Sequence, residues 1–166
     1  MKNIIFSSVL LLLLVGVTSL APSTKVKYSS SEAKLSVTFP GEFTTTEKVK
    51  EAYRSSKTMA NVGGVVYFVS YTIHDIDMAD GESLAKVSLD AFINGLEGEI
   101  TEESRWVVNK NNGFQAKLKV AGKDLVGEYR VVLINQIQYQ ITVIAPEGSW
   151  DNKKAKKFFK SFKVAK

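Results

Sequence analysis

Four stretches of alternating apolar and polar residues follow one another late in the chain, with very short links between them. Such alternation is typical of half-buried β-strands, whose successive side chains point to opposite faces. Asn112-Gly113 favours a type I′ turn, Gly122-Lys123 favours type II′, and Asn135-Gln136 is a weaker turn signal. Links this short cannot hold a crossover, so the sequence predicts a four-stranded antiparallel meander. Its strands are Glu99–Val108, Phe114–Val120, Leu125–Ile134 and Ile137–Ala145.

Further strands are predicted before the meander. Leu35, Val37 and Phe39 alternate with polar residues until Pro40-Gly41 interrupts the pattern. Val65–His74 is a clearer strand, with an apolar and aromatic face formed by Val65, Tyr67, Val69, Tyr71 and Ile73. Two polar, weakly patterned strands are predicted at Phe43–Val49 and Tyr53–Met59.

Two amphipathic helices complete the pattern. Asp80 suits the N-cap of the first helix and Gly98 its end. The second helix is expected from about Trp150 to Phe162, with Ser149 as its N-cap. Residues spaced to face the core are Ala85, Leu89, Phe92 and Leu96 in the first helix, and Ala155, Phe158, Phe159 and Phe162 in the second.

These elements predict an α+β fold. We expect an antiparallel sheet of about six to eight strands that ends in the four-strand meander, with one helix between strands and one C-terminal helix packed on the sheet. The apolar residues of the meander are expected to share one side that holds both helices, leaving the other side as a polar platform. That platform would include Arg130, Gln138 and Gln140.

The first 21 residues have the order of a secretory signal peptide. Lys2 is followed by the apolar core Val9–Val17 and then by the small residues Thr18, Ser19 and Ala21. The alternative is a retained membrane anchor, although Ile4–Leu20 includes several hydroxyl residues and is short for a span of roughly 20 apolar residues. The sequence therefore predicts a signal peptide over residues 1–21, a short leader over 22–32 and one domain over 33–166.

Composition limits the classes of partner. The 166 residues are 45% hydrophobic and 23% charged, which is typical of one globular domain, and cysteine is absent. Without residues 1–21 the formal charge would fall from +5 to +4, because Lys2 is the one charged residue among them. Export to the periplasm or the cell exterior argues against nucleic acid as a partner, and membrane contact is expected only if residues 1–21 are retained.

No group of residues matches a catalytic or metal-binding pattern. His74 is the single histidine, so neither a triad nor a paired-histidine metal site is available. Asp75, Asp77 and Asp80 invite a calcium interpretation, but their spacing fails the EF-hand pattern and helix capping explains Asp80. Glu102, Glu103 and Glu128 could supply a carboxylate pair, although spacing alone identifies none. We therefore expect no catalytic residue, cofactor or metal.

Lysines crowd the predicted C-terminal helix and its end. They are Lys153, Lys154, Lys156, Lys157, Lys160 and Lys163. One interpretation is a surface for anionic lipid, polysaccharide or an acidic partner. The other is the solvated face of an amphipathic helix whose phenylalanines are in the core.

The order of elements resembles PsbP-like domains. The resemblance rests on LSVTFPGEF (35–43), ESLAKVSLDAFINGL (82–96), VVLINQIQYQITVIAP (131–146) and KKFFKSFKV (156–164). That superfamily, which includes the photosystem II extrinsic protein and a Ran-binding import factor, has an antiparallel sheet with flanking helices. The resemblance implies a mostly non-enzymatic, often exported domain that binds or stabilises other proteins, and it implies no particular site residue.

Two functional hypotheses follow. The first is an exported, non-enzymatic binding or accessory domain that recognises a protein or cell-envelope component. Its expected surface comprises Lys153, Lys156, Lys157, Lys160, Arg130, Gln138 and Gln140. The alternative is a small-molecule carrier or hydrolase with a pocket between the first helix and the sheet, lined by Tyr67, Tyr71, Phe92 and Tyr129.

Overall fold

A computed structural model of the protein describes residues 24–76, 78 and 80–165. The predicted signal peptide, Asp77 and Lys166 lie outside the described residues. The helices are α1 (Gly81–Gly95) and α2 (Asn152–Ser161), and a short 3-10 turn spans Glu147–Ser149. The strands are β1 (Val26–Ser30), β2 (Leu35–Phe39), β3 (Thr44–Lys50), β4 (Tyr53–Val62), β5 (Val65–His74), β6 (Gly98–Val108), β7 (Asn111–Val120), β8 (Leu125–Ile134), β9 (Ile137–Pro146) and β10 (Lys163–Val164).

Seven of these strands form one large antiparallel sheet in the order β3-β4-β5-β9-β8-β7-β6. Strands β6 to β9 are the predicted meander, and the two-residue turn Asn135-Gln136 joins β8 to β9, with Asn135 at φ 55°. The α+β class, the strand number and the positions of both helices between and after strands are therefore confirmed.

A second, three-stranded sheet was not foreseen. It has the order β1-β2-β10, and β1 lies inside the stretch that the sequence analysis placed in a leader before the domain. The apolar residues Val26 and Tyr28 alternate with Lys25 and Lys27, a short strand pattern that the sequence analysis did not use. The folded part of the chain thus begins earlier than residue 33.

The register between β8 and β9 overturns the prediction of one apolar and one polar side. Residues paired across neighbouring strands lie on the same face of a sheet. Tyr129 pairs with Thr142 and Val131 pairs with Gln140, so apolar residues of β8 share a face with polar residues of β9. A two-residue turn fixes this register. As a result, both faces of the large sheet carry apolar residues.

Helix α1 covers one face of the large sheet, here called the α1 face. Leu89 and Ile93 are buried in a cluster with Leu118, Tyr129 and Val131. The Asp80 carboxylate accepts a hydrogen bond from the backbone N–H of Ser83 at 3.0 Å, which confirms the predicted N-cap. After the end of α1, the residue with positive φ is Glu97, at 55°. Gly98, the predicted end of the helix, instead begins β6.

Helix α2 and the three-stranded sheet cover the opposite face, here called the α2 face. Phe158 of α2 packs at centroid distances of 5.2 Å against both Phe39 and Tyr67. Sequence analysis placed the N-cap of this helix at Ser149, and this is wrong. Ser149 ends the 3-10 turn, and the Asp151 carboxylate accepts hydrogen bonds from the backbone N–H groups of Lys153 and Lys154.

The first turn of the meander also differs from the prediction. Asn109 and Lys110, with φ of 49° and 69°, form the two-residue turn, and Asn112-Gly113 lies within β7. Gly113 is required there for another reason, because a Cβ would collide with the Val131 carbonyl and with Val132. Close approach of neighbouring backbones is a recognised use of glycine in strands.

Candidate functional site

The lysines of α2 all point away from the core. Ala155, Phe158 and Phe159 are 2–4% exposed and fix the inner side of the helix against the sheet. With 3.6 residues per turn, the intervening positions must then face outward. Lys153, Lys154, Lys156, Lys157 and Lys160 are accordingly all exposed.

The three-stranded sheet extends this basic surface beyond the helix. The Ser161 hydroxyl, at the end of α2, accepts a hydrogen bond from the backbone N–H of Thr38 at 3.0 Å, which ties the helix to β2. Lys27 pairs with Thr38 and Lys163 pairs with Ser36, so both lysines lie on the face of this sheet opposite buried Val37. We call the combined surface the lysine side: Lys25, Lys27, Lys153, Lys154, Lys156, Lys157, Lys160 and Lys163.

Sequence reasoning singled out the lysines of α2 but missed Lys25 and Lys27, which it assigned to the leader. Their alternation with Val26 and Tyr28 could have identified them as outward-facing strand residues.

Charge is strongly segregated between this part of the molecule and the rest. Residues 24–39 and 150–165 together contain nine lysines, no arginine and the two acids Glu32 and Asp151. Residues 40–149 contain eleven basic residues and fifteen acids. One end of the fold is thus strongly positive although the whole chain carries only +5.

Both acids at the basic end are engaged. Glu32 pairs with Arg54 at 2.6 Å, and Asp151 caps α2 while lying 3.8 Å from the Lys154 ammonium. Within the described residues, Lys153, Lys156, Lys157 and Lys160 form no ion pair within 4 Å. Their charges are therefore available to an external anion.

Lys25 and Lys157 crowd each other within this surface. The pKa of Lys157 lies below its ordinary value of 10.5, because the neighbouring ammonium group of Lys25 disfavours a second positive charge beside it. A bound anion between them would relieve that repulsion.

Arg130 does not belong to a free polar platform. It lies on the α2 face, where its guanidinium contacts Glu128 at 2.6 Å and stacks over the Phe159 ring at 4.3 Å from the centroid. Its side chain is only 20% exposed. Arg130 therefore packs against α2 on the sheet surface that this helix covers, and its position does not support the expected role on a partner surface.

Gln138 and Gln140 lie on the opposite, α1 face, because they pair with Leu133 and Val131. Gln138 is 6% exposed and donates a hydrogen bond to the Ser88 hydroxyl of α1. Gln140 accepts a hydrogen bond from the Ser70 hydroxyl at 3.3 Å. The structure therefore separates these glutamines from Arg130 by the thickness of the sheet.

The alternative pocket is not formed. Tyr67 and Tyr71 lie on the α2 face, whereas Tyr129 lies on the α1 face with Phe92 stacked on its ring at 4.1 Å. A cavity beside Tyr67 and Trp150 holds about 80 Å³, far below the roughly 300 Å³ at which ligand pockets begin. It is lined by Pro40, Val62, Val65, Tyr67, Val143, Ser149, Trp150, Asp151 and Lys154.

The glutamates considered for carboxylate chemistry are divided by the sheet. Glu102 pairs with Lys117 at 2.6 Å and Glu128 pairs with Arg130, while Glu103 lies on the other face and pairs with Lys86 at 2.9 Å. Each carboxylate is thus matched to a cation. In residues 24–76, 78 and 80–165, no three histidine, aspartate or glutamate side chains converge in a way that could hold a metal ion.

His74 lies at the end of β5 on the α1 face, half-buried. Burial lowers its pKa below the ordinary 6.5, while the neighbouring Asp75 and Gln138 act in the opposite direction.

Comparison with known proteins identifies the fold. The chain is similar to the solution structure of cyanobacterial PsbP from Synechocystis sp. PCC 6803, with a TM-score of 0.57 and 14% identity over 92% of this chain and 99% of that chain. The fold is PsbP-like. It combines the large sheet, the three-stranded sheet and the two helices, as the resemblance in the sequence implied.

The other comparisons add no function to this PsbP-like fold. A crystal structure of a protein from Bacteroides thetaiotaomicron matches with a TM-score of 0.49 and 13% identity, over 87% of this chain and 49% of that chain, and carries no argument at that score. No protein-family model and no curated protein matches the sequence. None of the described helices is both long and apolar enough to cross a membrane.

Proposed function

We propose that this PsbP-like chain is an exported, non-enzymatic accessory domain that docks through its lysine side onto an anionic component of the cell envelope. The segregation of charge carries this proposal. Residues 24–39 and 150–165 contain nine lysines, of which eight form the lysine side, and the two acids of these segments are already engaged. A concentrated positive field of this kind accelerates and orients encounters with anionic partners.

The rest of the molecule supports binding more than chemistry. The candidate carboxylates are each paired with a cation, and the cavities beside Tyr67 and beside Glu102 are small. The signal-like segment at residues 1–21 favours a partner outside the cytoplasm.

A pair of charge-matched variants tests the proposal. The first, the α2 variant, carries Lys156→Gln, Lys157→Gln and Lys160→Gln; the second, the control variant, carries Lys48→Gln, Lys50→Gln and Lys123→Gln. All six lysines are exposed, and glutamine has nearly the same helix propensity as lysine. Both variants therefore have the same net charge and should keep the fold.

The measurement is the fraction of the full chain that sediments with the envelope when producing cells are broken at low salt. We expect the wild type and the control variant to sediment and the α2 variant to remain in the supernatant. Equal sedimentation of the two variants would refute docking through the lysine side.

A further inference from the structure

The lysine side lies next to the point where the described chain begins. Lys25 contacts Lys157, and Thr24 and Lys25 are both exposed. In the sequence, only the four residues 21–24 separate the apolar run Ile4–Leu20 from Lys25. The five residue steps from Leu20 to Lys25 span at most about 18 Å when extended, so a bilayer that held a retained 1–21 segment would lie close to this surface.

The type of basic residue also bears on the partner. The chain has three arginines, Arg54, Arg105 and Arg130, and all three are in ion pairs with Glu32, Glu82 and Glu128. The lysine side contains none. Arginine binds carboxylate and phosphate groups in a fixed bidentate geometry, whereas lysine is a mobile point charge. A surface made of lysines alone suits a diffuse layer of negative charge more than a shaped acidic site.

The apolar side of α2 is already occupied within the fold. Phe158 and Phe159 are 3% and 4% exposed, so they cannot enter a membrane while the helix stays on the sheet. Contact with a bilayer would then be electrostatic, without insertion of the helix.

We infer that the lysine side rests on the surface of an anionic lipid bilayer, held there by the charges of its lysines. This inference rests on the proposed function and names its partner as phospholipid headgroups. It commits to lipid over an acidic protein because a surface with eight lysines and no arginine suits a diffuse layer of headgroup charge more than a shaped acidic site.

Flotation with lipid vesicles tests the inference. The full chain, as recovered from producing cells and with its intact mass recorded, is mixed with vesicles of phosphatidylcholine alone or of phosphatidylcholine and phosphatidylglycerol. We expect binding to the anionic vesicles only, and release as salt is raised, because added ions screen the headgroup charge. Since a lysine near an anionic surface contributes about fivefold to binding, the α2 variant should bind about a hundredfold more weakly than the wild type.

The control variant should bind nearly as well as the wild type, although it has lost the same number of charges. Equal weakening of both variants, or no preference for anionic vesicles, would overturn the inference. Binding to neutral vesicles that ignores salt would also overturn it and would point to insertion of residues 1–21. If vesicles are not bound while sedimentation with the envelope still depends on the α2 lysines, the proposed function stands with a protein as its partner.

Discussion

Tyr129 and Tyr139 occupy neighbouring strands of the large sheet and are both buried, but their hydroxyl groups have different surroundings. Tyr139 donates a hydrogen bond to the Ala33 carbonyl at 2.8 Å and so ties the large sheet to the turn before β2. The Tyr129 hydroxyl is enclosed below Phe92 and has no hydrogen-bond partner among the described residues. An unpaired buried hydroxyl loses its bonds to water without compensation.

Replacing each tyrosine by phenylalanine should therefore have opposite consequences. We expect Tyr129→Phe to leave the free energy of unfolding unchanged or to raise it by up to about 1 kcal/mol. Tyr139→Phe should lower it by about 1–2 kcal/mol, because the Ala33 carbonyl loses its donor. Urea denaturation of the two variants provides the comparison. A loss in Tyr129→Phe as large as that in Tyr139→Phe would show that the Tyr129 hydroxyl is hydrogen-bonded after all.

At the scale of the element, α2 is held in place from both ends. Asp151 caps its first turn, and Ser161 at its last turn contacts the backbone of Thr38 in β2. The helix thereby presents its lysines while its phenylalanines close the α2 face. Because the lysines face outward and the phenylalanines pack inward, a helix with so many lysines can remain folded against the sheet.

We predict that Asp151→Ala lowers the melting temperature by a few degrees, because two backbone N–H groups lose their acceptor. Ser149→Ala is the matched control and should have little effect, since the 3-10 turn forms no side-chain cap. Hydrogen bonds from Lys154 and Lys153 hold the pKa of Asp151 below its ordinary 3.8. A lowered pKa means that this stabilisation is present above pH 3.8 and is lost as the pH falls further.

Thermal unfolding monitored by circular dichroism at neutral and acidic pH measures both effects. The difference between Asp151→Ala and the wild type should shrink at the acidic end. A difference that is the same at every pH would contradict capping by the carboxylate.

At the scale of the whole molecule, the large sheet separates two cores with different roles. The core beneath α1 is closed by that helix, and the core on the α2 face is closed jointly by α2 and the three-stranded sheet. The second core therefore joins the two ends of the described chain, and the same arrangement gathers their lysines on one side. Stability of this core and presentation of the lysine side are consequently linked.

Burial of tyrosines in both cores predicts sensitivity to alkaline pH. Burial raises the pKa of Tyr139 to about 12 and raises that of Tyr129 still further above the ordinary 10.0. The unfolded chain therefore loses these protons at a lower pH than the folded one. The free energy of unfolding should be constant up to about pH 10 and should then decrease as the pH rises.

Urea denaturation at a series of pH values from neutral upward measures this dependence. In Tyr139→Phe the free energy of unfolding should decrease less steeply with pH than in the wild type, because this variant lacks the Tyr139 hydroxyl group that ionises. A free energy of unfolding that does not change up to pH 12 would contradict the predicted linkage.

The sequence by itself determined most of the secondary structure. Alternation identified the meander and β5, amphipathic spacing identified both helices, and Asp80 was correctly assigned as a cap. These signals are local, since each depends on residues within one strand or a few helical turns. The same local signal was available for β1 but was short and was assigned to the leader.

Only the tertiary structure decided how the elements face one another. A shift of one residue in strand pairing moves a side chain to the other face, so no single strand reveals that Arg130 lies opposite Gln138 and Gln140. Likewise, Lys25 and Lys157 meet because β1 pairs with β2 and α2 is tied to the same strand. The charges were present in the sequence, but long-range pairing brought them together on one side.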